Sequence, residues 1–361
     1  MAKVMLIDGN SLTYRAFFAL PTDMATASGQ VTNAVFGFTS MLINLMRDHR
    51  PDNIAVSFDL PVPTFRHHRV PTYKAGRKET PDILRQQMGL VRQVVQTLEI
   101  PIVEIEGYEA DDVLATLATQ ARDAGDDVIV VTGDRDVYQL VEDPHIKVLY
   151  NKRGVSDYAL YDEAGIEERT GVKPSDYVIY AAMRGDTSDN LPGVPGVGEK
   201  TAAKLVNSYG TIDGIFAHVE DQTPKLRENL ASHEDTVRLN AEVMVLVRDV
   251  PLGVTITDLQ MGEFDADELR KLFDFLEFRT LYDRLAEVID ADLGAAASDN
   301  EVLEAERTDI DTVDDAVALF VELAVGGGLL AIAPAWVGDD ERGQLEGLAL
   351  VTSADDAEVA W

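Results

Sequence analysis

VIVVTGDRD, residues 128–136, decides the fold. Four β-branched residues in a row make a short buried strand, Thr132 and Gly133 end it, and Asp134 and Asp136 follow at once. The same arrangement recurs upstream. Apolar residues 4–7 lead into Asp8, and residues 54–58 lead into Asp59. Residues 100–105 read as a further strand before Glu109, Asp111 and Asp112, and residues 146–149 as one more. Amphipathic helical patterns at 33–47, 82–98 and 111–124 separate these strands, the last one stopping at Gly125. Strands alternating with helices predict an α/β fold, a mainly parallel central sheet with helices on both faces.

Parallel strands present their carboxyl ends on one edge of the sheet, where open α/β folds build their sites. The acids at those ends are therefore expected to meet there, with Asp186 and Asp189 flanking a later loop. Any one of them has a plain structural explanation, as a helix cap for Asp111 or Asp112 or a turn residue for Asp8 or Asp59. Together they do not. Two like charges about 4 Å apart repel by about 4 kcal/mol at an effective dielectric near 20, so a cluster of eight or nine needs cations. Oxygen ligands alone suit Mg²⁺ or Mn²⁺, and two such ions roughly 4 Å apart are the usual device for attacking a phosphodiester.

Composition narrows the classes further. The chain has 361 residues, 46% hydrophobic and 26% charged, enough for one large domain or a few ordinary ones. It has no cysteine, which excludes disulfide frameworks, thiol catalysis and cysteine-ligated zinc. There is no leader pattern and no long apolar run, so a soluble, cytoplasmic protein is expected. The net charge of −33 argues against a nucleic-acid partner until its distribution is read. Residues 290–361 hold 18 Asp/Glu against 2 Lys/Arg, about half of the total, whereas residues 65–92 carry Arg66, Arg69, Lys74, Arg77, Lys78, Arg85 and Arg92 against only Glu79 and Asp82. That basic stretch can hold a polyanion. It is rooted just after Asp59, so a loop or short helical pair there is expected to arch over the acid edge. Tyr73 and Phe65 would stack on single-stranded nucleic acid, and Lys74 or Arg77 would neutralise charge on a scissile phosphate. Arg15, on the helix after Asp8, either contacts DNA or covers the sheet. Phe17, Phe18, Phe36 and Phe38 read as core.

From about residue 175 to 289 the pattern is helical, clearest at 237–247. RGDTSDNLPGVPGVGEKTAAKLV, residues 184–206, places Gly193, Gly196 and Gly198 before a helix starting near Glu199. Glu199 breaks the Gly-Lys pair a phosphate-binding nucleotide loop requires. A helix–hairpin–helix turn fits better, with glycines and free N–H groups gripping phosphate without reading sequence. The organisation expected is an α/β core at 1–174 with the arch at about 60–92, a helical DNA-binding part at 175–289, an acidic linker at 290–307 and a small second unit at 308–361.

MLIDGNSLTYRAFFAL (5–20), GYEADDVLA (107–115), TGDRDVYQL (132–140) and GDTSDNLPGVPGVGEKTA (185–202) resemble, in this order and spacing, the 5′-nuclease domains of bacterial DNA polymerase I, kin to the flap endonucleases. The resemblance covers residues 1–289. It implies a PIN-like fold, one metal site at Asp8, Asp59, Glu109 and Asp111 with Asp112 close by, and a second at Asp134, Asp136, Asp186 and Asp189. The cofactors implied are two or three Mg²⁺ or Mn²⁺ ions, with a K⁺ at the hairpin. Tyr73, Lys74 and Arg77 would be catalytic. Arg15, Arg66, Arg69, Lys78, Gly193, Gly196, Gly198, Lys200 and Thr201 would hold DNA. The activity implied is structure-specific hydrolysis of 5′ flaps, nicks with 5′ overhangs and RNA primers in replication and repair, with a polymerase domain in the same full-length chain and no oligomer. Residues 308–361 resemble the start of that family's 3′–5′ exonuclease-like domain. Alanines stand at 333 and 335 where an Asp-x-Glu pair would be, so no proofreading is expected. Two other classes compete: a catalytically silent DNA-binding module that recruits a polymerase, and a phosphatase, which lacks its Asp-x-Asp strand here.

Overall fold

The computed structural model describes residues 1–289, 306–308, 310, 312–326, 331–337, 344–353 and 358–360. It divides into two units, residues 1–296 and 297–361.

In the first unit β1 (Lys3–Asp8), α1 (Gly9–Ala19), α2 (Asn33–His49), β2 (Asn53–Ser57), α3 (Phe65–Arg69), α4 (Asp82–Thr97), α5 (Ala110–Asp123), β3 (Asp127–Thr132), β4 (Ile146–Arg153) and β5 (Asp157–Tyr161) build the α/β part. The sheet runs β2-β1-β3-β4-β5. β2, β1, β3 and β4 are parallel, with Leu6 opposite both Ala55 and Val130, and β5 closes the edge antiparallel to β4. One consequence positions the site: Asp8, Asp59 and Asp134 all leave the same edge.

Residues 100–105 do not form the strand their composition suggests. Pro101 has no N–H to offer, and the segment keeps a single bridge to β2, in which Val56 N–H donates to Pro101 O at 3.0 Å and Val103 N–H to Val56 O at 3.0 Å. β5 and the following α6 (Glu163–Thr170) are additions to the sequence reading, although α6 carries its own signals. Asp162 caps it by accepting from Gly165 N–H, and Gly171 ends it in the left-handed region.

The helical part comprises α7 (Tyr177–Arg184), a two-stranded ladder of β6 (Gly185–Asp186) and β7 (Leu191–Pro192), then α8 (Glu199–Tyr209), α9 (Ile212–Ala217), α10 (Pro224–Ala231), α11 (Glu234–Met244), α12 (Ala266–Phe275) and α13 (Arg279–Ile289). The helix expected over 237–247 ends at Met244. Beyond it the backbone is drawn out by side chains of the α/β part, Leu246 N–H donating to Gln139 at 2.9 Å and Val247 N–H to Asp112 at 2.9 Å. The apolar core is continuous across the two parts, running from Leu6 and Val130 through Tyr177 and Tyr180 to Val206 and Val237. Phe17 and Phe38 are buried as expected, but Phe18 is 72% exposed.

In the second unit β8 (Glu306–Thr308), β9 (Ala331–Val337), β10 (Gln344–Ser353) and β11 (Glu358–Ala360) form a sheet of order β8-β11-β10-β9, and α14 (Val313–Gly326) lies between β8 and β9 in the chain. Ala333 and Ala335 sit on β9 opposite Ala349 and Gly347. Of the linker expected at 290–307, all but residues 306–307 lies outside the described residues. Among the described residues no helix is long and apolar enough to cross a membrane.

Candidate metal centre and nucleic-acid interface

Asp8 ends β1 and caps α1. Its Oδ1 accepts from Ser11 N–H at 2.9 Å and its Oδ2 from the Thr132 hydroxyl at 2.8 Å. One carboxylate thus ties the ends of two strands together. Asp59, just past β2, accepts from Ala110 N–H at the start of α5, at 2.8 Å. Asp134 accepts from Asp136 N–H at 2.9 Å. Asp8, Asp59, Glu109, Asp111 and Asp134 line one cavity of about 220 Å³, joined there by Asn10, Ser11, Tyr14, Lys74 and Arg77. Sequence reasoning missed Asn10, Ser11, Tyr14 and Thr132, although three of them fall within the turn and a half of helix that Asp8 begins.

Burial pushes the Asp8 carboxyl up to about 7, with the Asp59 charge adding to it and the Ser11 N–H opposing it. Burial first, then the Asp134, Asp8 and Asp59 charges, raise Asp111 well above the usual carboxylate range. Asp136 is raised by burial and by Asp134, Asp189 and Asp186. Folded Asp8 keeps its proton to higher pH than the unfolded chain does. Between its ordinary value near 3.8 and about 7 the folded state therefore binds more protons, and stability falls as pH rises through that window. The metal-free protein is expected to lose melting temperature from about pH 5 to about pH 7.5, and saturating Mg²⁺ to remove that slope. A metal-free melting temperature that climbs over this range would contradict the account.

The basic segment folds down onto the acids. Lys74, in the left-handed region at φ 56°, places Nζ 2.7 Å from Glu109 Oε1, and its N–H donates to Asp189 O at 2.9 Å. Arg77 pairs with Asp189 and donates through Nε to Ser188 O at 3.1 Å. Asp186, on β6, accepts from Ser188 N–H at 2.7 Å. Asp189 thus reaches the cavity through Arg77 and through Tyr73, whose hydroxyl lies 2.8 Å from Asp189 and 3.1 Å from Glu109. Among the described residues no three of these side chains are already gathered to hold an ion. Asp111 Oδ1 is buried with no hydrogen-bond partner, and an all-oxygen set around such an atom fits a hard divalent cation.

Several expected roles are corrected. Arg66 is 2% exposed and cannot meet DNA. Its guanidinium grips Asp112 at 2.5 and 2.8 Å and donates through Nε to Val243 O at 2.8 Å. Asp112 is 0% exposed and also accepts from Glu109 and Val247 N–H, so its oxygens are spent on protein and it is no metal ligand. Tyr73 is buried and cannot stack on a base; its hydroxyl holds two carboxylates instead. Phe65 is half-buried, with Arg66 over its ring. Arg69 pairs with Glu242 at 2.5 Å. A Cβ on Gly193 would stand 2.1 Å from Arg184 O, so its bareness serves the close approach of the chain on either side of β6 and β7. Gly196 takes a positive φ of 81°, and Gly198 opens α8 with free space where a Cβ would point. Lys78 and Lys200 are exposed, while Arg15 and Thr201 are half-buried. Arg15 lies against Gly133 at the end of β3.

The family model described as the 5′–3′ exonuclease N-terminal resolvase-like domain matches residues 3–171, and that of the 5′–3′ exonuclease C-terminal SAM fold matches residues 172–267. Fold and matches together define a PIN-like 5′-nuclease fold. The chain belongs to the 5′–3′ exonuclease family. DNA polymerase I of Mycobacterium tuberculosis is 47% identical over 289 residues, covering 80% of this chain and 32% of that protein. The Mycobacterium leprae DNA polymerase I is 42% identical over 374 residues, covering 99% and 41%. The chain thus spans about a third to two-fifths of the length of these relatives. A structure of T5 D15 protein co-crystallised with metal ions superposes with a TM-score of 0.56 at 18% identity, covering 80% of this chain and 98% of that one, which shows a shared fold.

Proposed function

We propose that the chain is the 5′-nuclease part of a DNA polymerase I and hydrolyses phosphodiesters in 5′ flaps, at nicks with 5′ overhangs and in RNA primers, during replication and repair. One observation carries this reading: carboxylates from separate strands and helices surround one cavity, with Asp111 Oδ1 buried and unpartnered in it. Asp8, Asp59, Glu109 and Asp111 would hold one divalent ion, and Asp134, Asp136, Asp186 and Asp189 a second. Mg²⁺ or Mn²⁺ bound there makes water a better nucleophile and neutralises charge on the phosphate and leaving oxygen. The T5 protein's crystallisation with metal ions supports metal binding by this fold. A K⁺ at the Gly193–Gly198 turn belongs to the same proposal.

The chain's own residues do the rest. Thr132 and Ser11 fix the Asp8 carboxylate, and Tyr73 holds Glu109 against Asp189. Lys74 and Arg77 sit on Glu109 and Asp189 now and are free to turn toward a phosphate once the acids have another cation to face. Exposed Lys78 on the arch side and Lys200 at the start of α8 are placed for phosphate contacts, and such contacts position the duplex without reading its sequence.

Incubation of a 5′-flap duplex with the chain and Mn²⁺, against an EDTA control, tests the reading. Release of the flap in Mn²⁺ and none in EDTA is expected. A gel shift without cleavage in any divalent metal would overturn it in favour of a silent DNA-binding module.

A further inference from the structure

In the sequence Glu199 breaks a nucleotide-loop motif and opens the helix after the glycine-rich turn. In the structure it is the first residue of α8, immediately after Gly198, at the end where the hairpin offers its free N–H groups. Its Oε1 accepts a hydrogen bond from Arg135 and forms a longer ion pair with Arg184, two arginines that come from other places. Arg135 Nη1 lies 3.3 Å away and Arg184 Nη1 3.6 Å away. Each arginine is tied to the acid cluster by the backbone itself. Arg135 stands between Asp134 and Asp136. Arg184 ends α7, packs over the Tyr180 ring at 5.5 Å and donates through Nε to Gly185 O at 3.2 Å, one residue before Asp186. A single carboxylate at the hairpin therefore holds the two loops that carry Asp134, Asp136 and Asp186.

Stability does not explain this arrangement. Glu199 is 61% exposed and Arg135 45%, and an exposed pair of this kind contributes little to folding; Arg184 is 18% exposed, but at 3.6 Å from an exposed carboxylate its pair adds little more. Their position matters more. A DNA phosphate drawn to the N-terminus of α8 and to Lys200 comes up beside the Glu199 carboxylate. It repels that carboxylate and competes with it for both guanidinium groups.

We infer that Glu199 is a positioning residue that transmits duplex binding at the hairpin to the Asp134–Asp136–Asp186 acids, by exchanging its hold on Arg135 and Arg184 with the DNA backbone. This rests on the proposed nuclease reading. Two sites linked in this way influence each other reciprocally, so divalent ion in the acid cluster tightens duplex binding and the reverse.

The experiment measures the dissociation constant of the full chain for a 5′-flap duplex by fluorescence anisotropy, in EDTA and in Ca²⁺. For the wild type, Ca²⁺ is expected to tighten binding at least about fivefold, the lower end of ordinary allosteric factors. Glu199→Gln is expected to reduce that factor below about twofold, with affinity in EDTA equal or tighter because a negative charge has left the duplex's path. Glu199→Asp restores part of the factor. The pair Arg135→Met with Arg184→Met lowers the factor as Glu199→Gln does, and the triple variant adds no further loss, as expected for residues acting as one unit. A purely structural role would lower the melting temperature and leave the factor intact. A Glu199→Gln variant that keeps the wild-type factor overturns the inference, as does a wild type indifferent to Ca²⁺. A wild type with no affinity for the flap duplex would overturn the nuclease reading and this inference together.

Discussion

Asp111→Asn is expected to make the metal-free protein more stable and the nuclease inactive. The two effects have one cause. Asp111 Oδ1 is buried without a partner, and burial together with the charges of Asp134, Asp8, Asp59 and Glu109 holds its carboxyl well above the ordinary range. Near neutral pH the folded chain therefore carries either a strained negative charge or a proton it would not hold when unfolded. A neutral amide of the same shape removes that conflict, and its N–H groups find acceptors among the surrounding carboxylates. Melting temperature in EDTA should rise by a few degrees, since about 1 kcal/mol moves a domain of this size by roughly 2–4 °C. Flap cleavage in Mn²⁺ should fall by a factor of about 10³ or more, because a divalent ion contributes several kcal/mol to the transition state and each 1.36 kcal/mol is tenfold. The melting curve and the cleavage rate are to be read on the same preparation. Lower stability alongside retained cleavage would show that Asp111 is a structural acid.

Asp111 and its neighbour Asp112 also mark how far the sequence could be read. That acids gather at one edge follows from parallel topology alone, since Asp8, Asp59 and Asp134 each follow a strand whose direction the alternating pattern already sets. Which acid of an adjacent pair faces the cavity does not follow. Successive residues on a helix point about 100° apart, so Asp111 and Asp112 look in different directions, one into the cavity and the other toward the chain end of α11. Both would read as polar surface or helix cap. The basic segment hides the same division. Arg66, Arg69 and Lys78 look alike in a charge count, yet one is sealed inside the protein, one pairs with Glu242 and one faces solvent. The sealing partner lies 46 residues away, beyond any local pattern. Gly193 was legible as a glycine that mattered and illegible in its reason, because the atom it makes room for is Arg184 O, reached only when β6 and β7 pair. Glu199 follows the same rule: its two partners are 64 and 15 residues distant in sequence.

The largest stability effect should come from the buried pair. Arg66→Met leaves Asp112 at 0% exposure with a full charge and no counter-ion, and breaking such a pair on one side costs about 3–5 kcal/mol. That is a large part of the 5–15 kcal/mol that holds an ordinary domain folded. The loss is not confined to one spot. Arg66 also donates to Val243 O and Val245 O, while Asp112 accepts from Val247 N–H, so the pair fastens the root of the basic segment, the start of α5 and the end of α11 to one another. Removing it should loosen Lys74 and Tyr73 with it, and cleavage should slow even where the chain remains folded. The double variant Arg66→Met with Asp112→Asn discriminates the cause. If the cost is a stranded charge, the amide in place of the carboxylate recovers about half of the lost stability, because the burden of burying an unpaired ion disappears, while its single oxygen still accepts from only one of the Val247 and Glu109 N–H groups and the other is left facing the amide NH₂. Urea unfolding of the metal-free chain gives both numbers. A single variant that loses under about 1 kcal/mol would mean that Asp112 is reached by water once Arg66 is gone, and that the pair orders the segment without stabilising it.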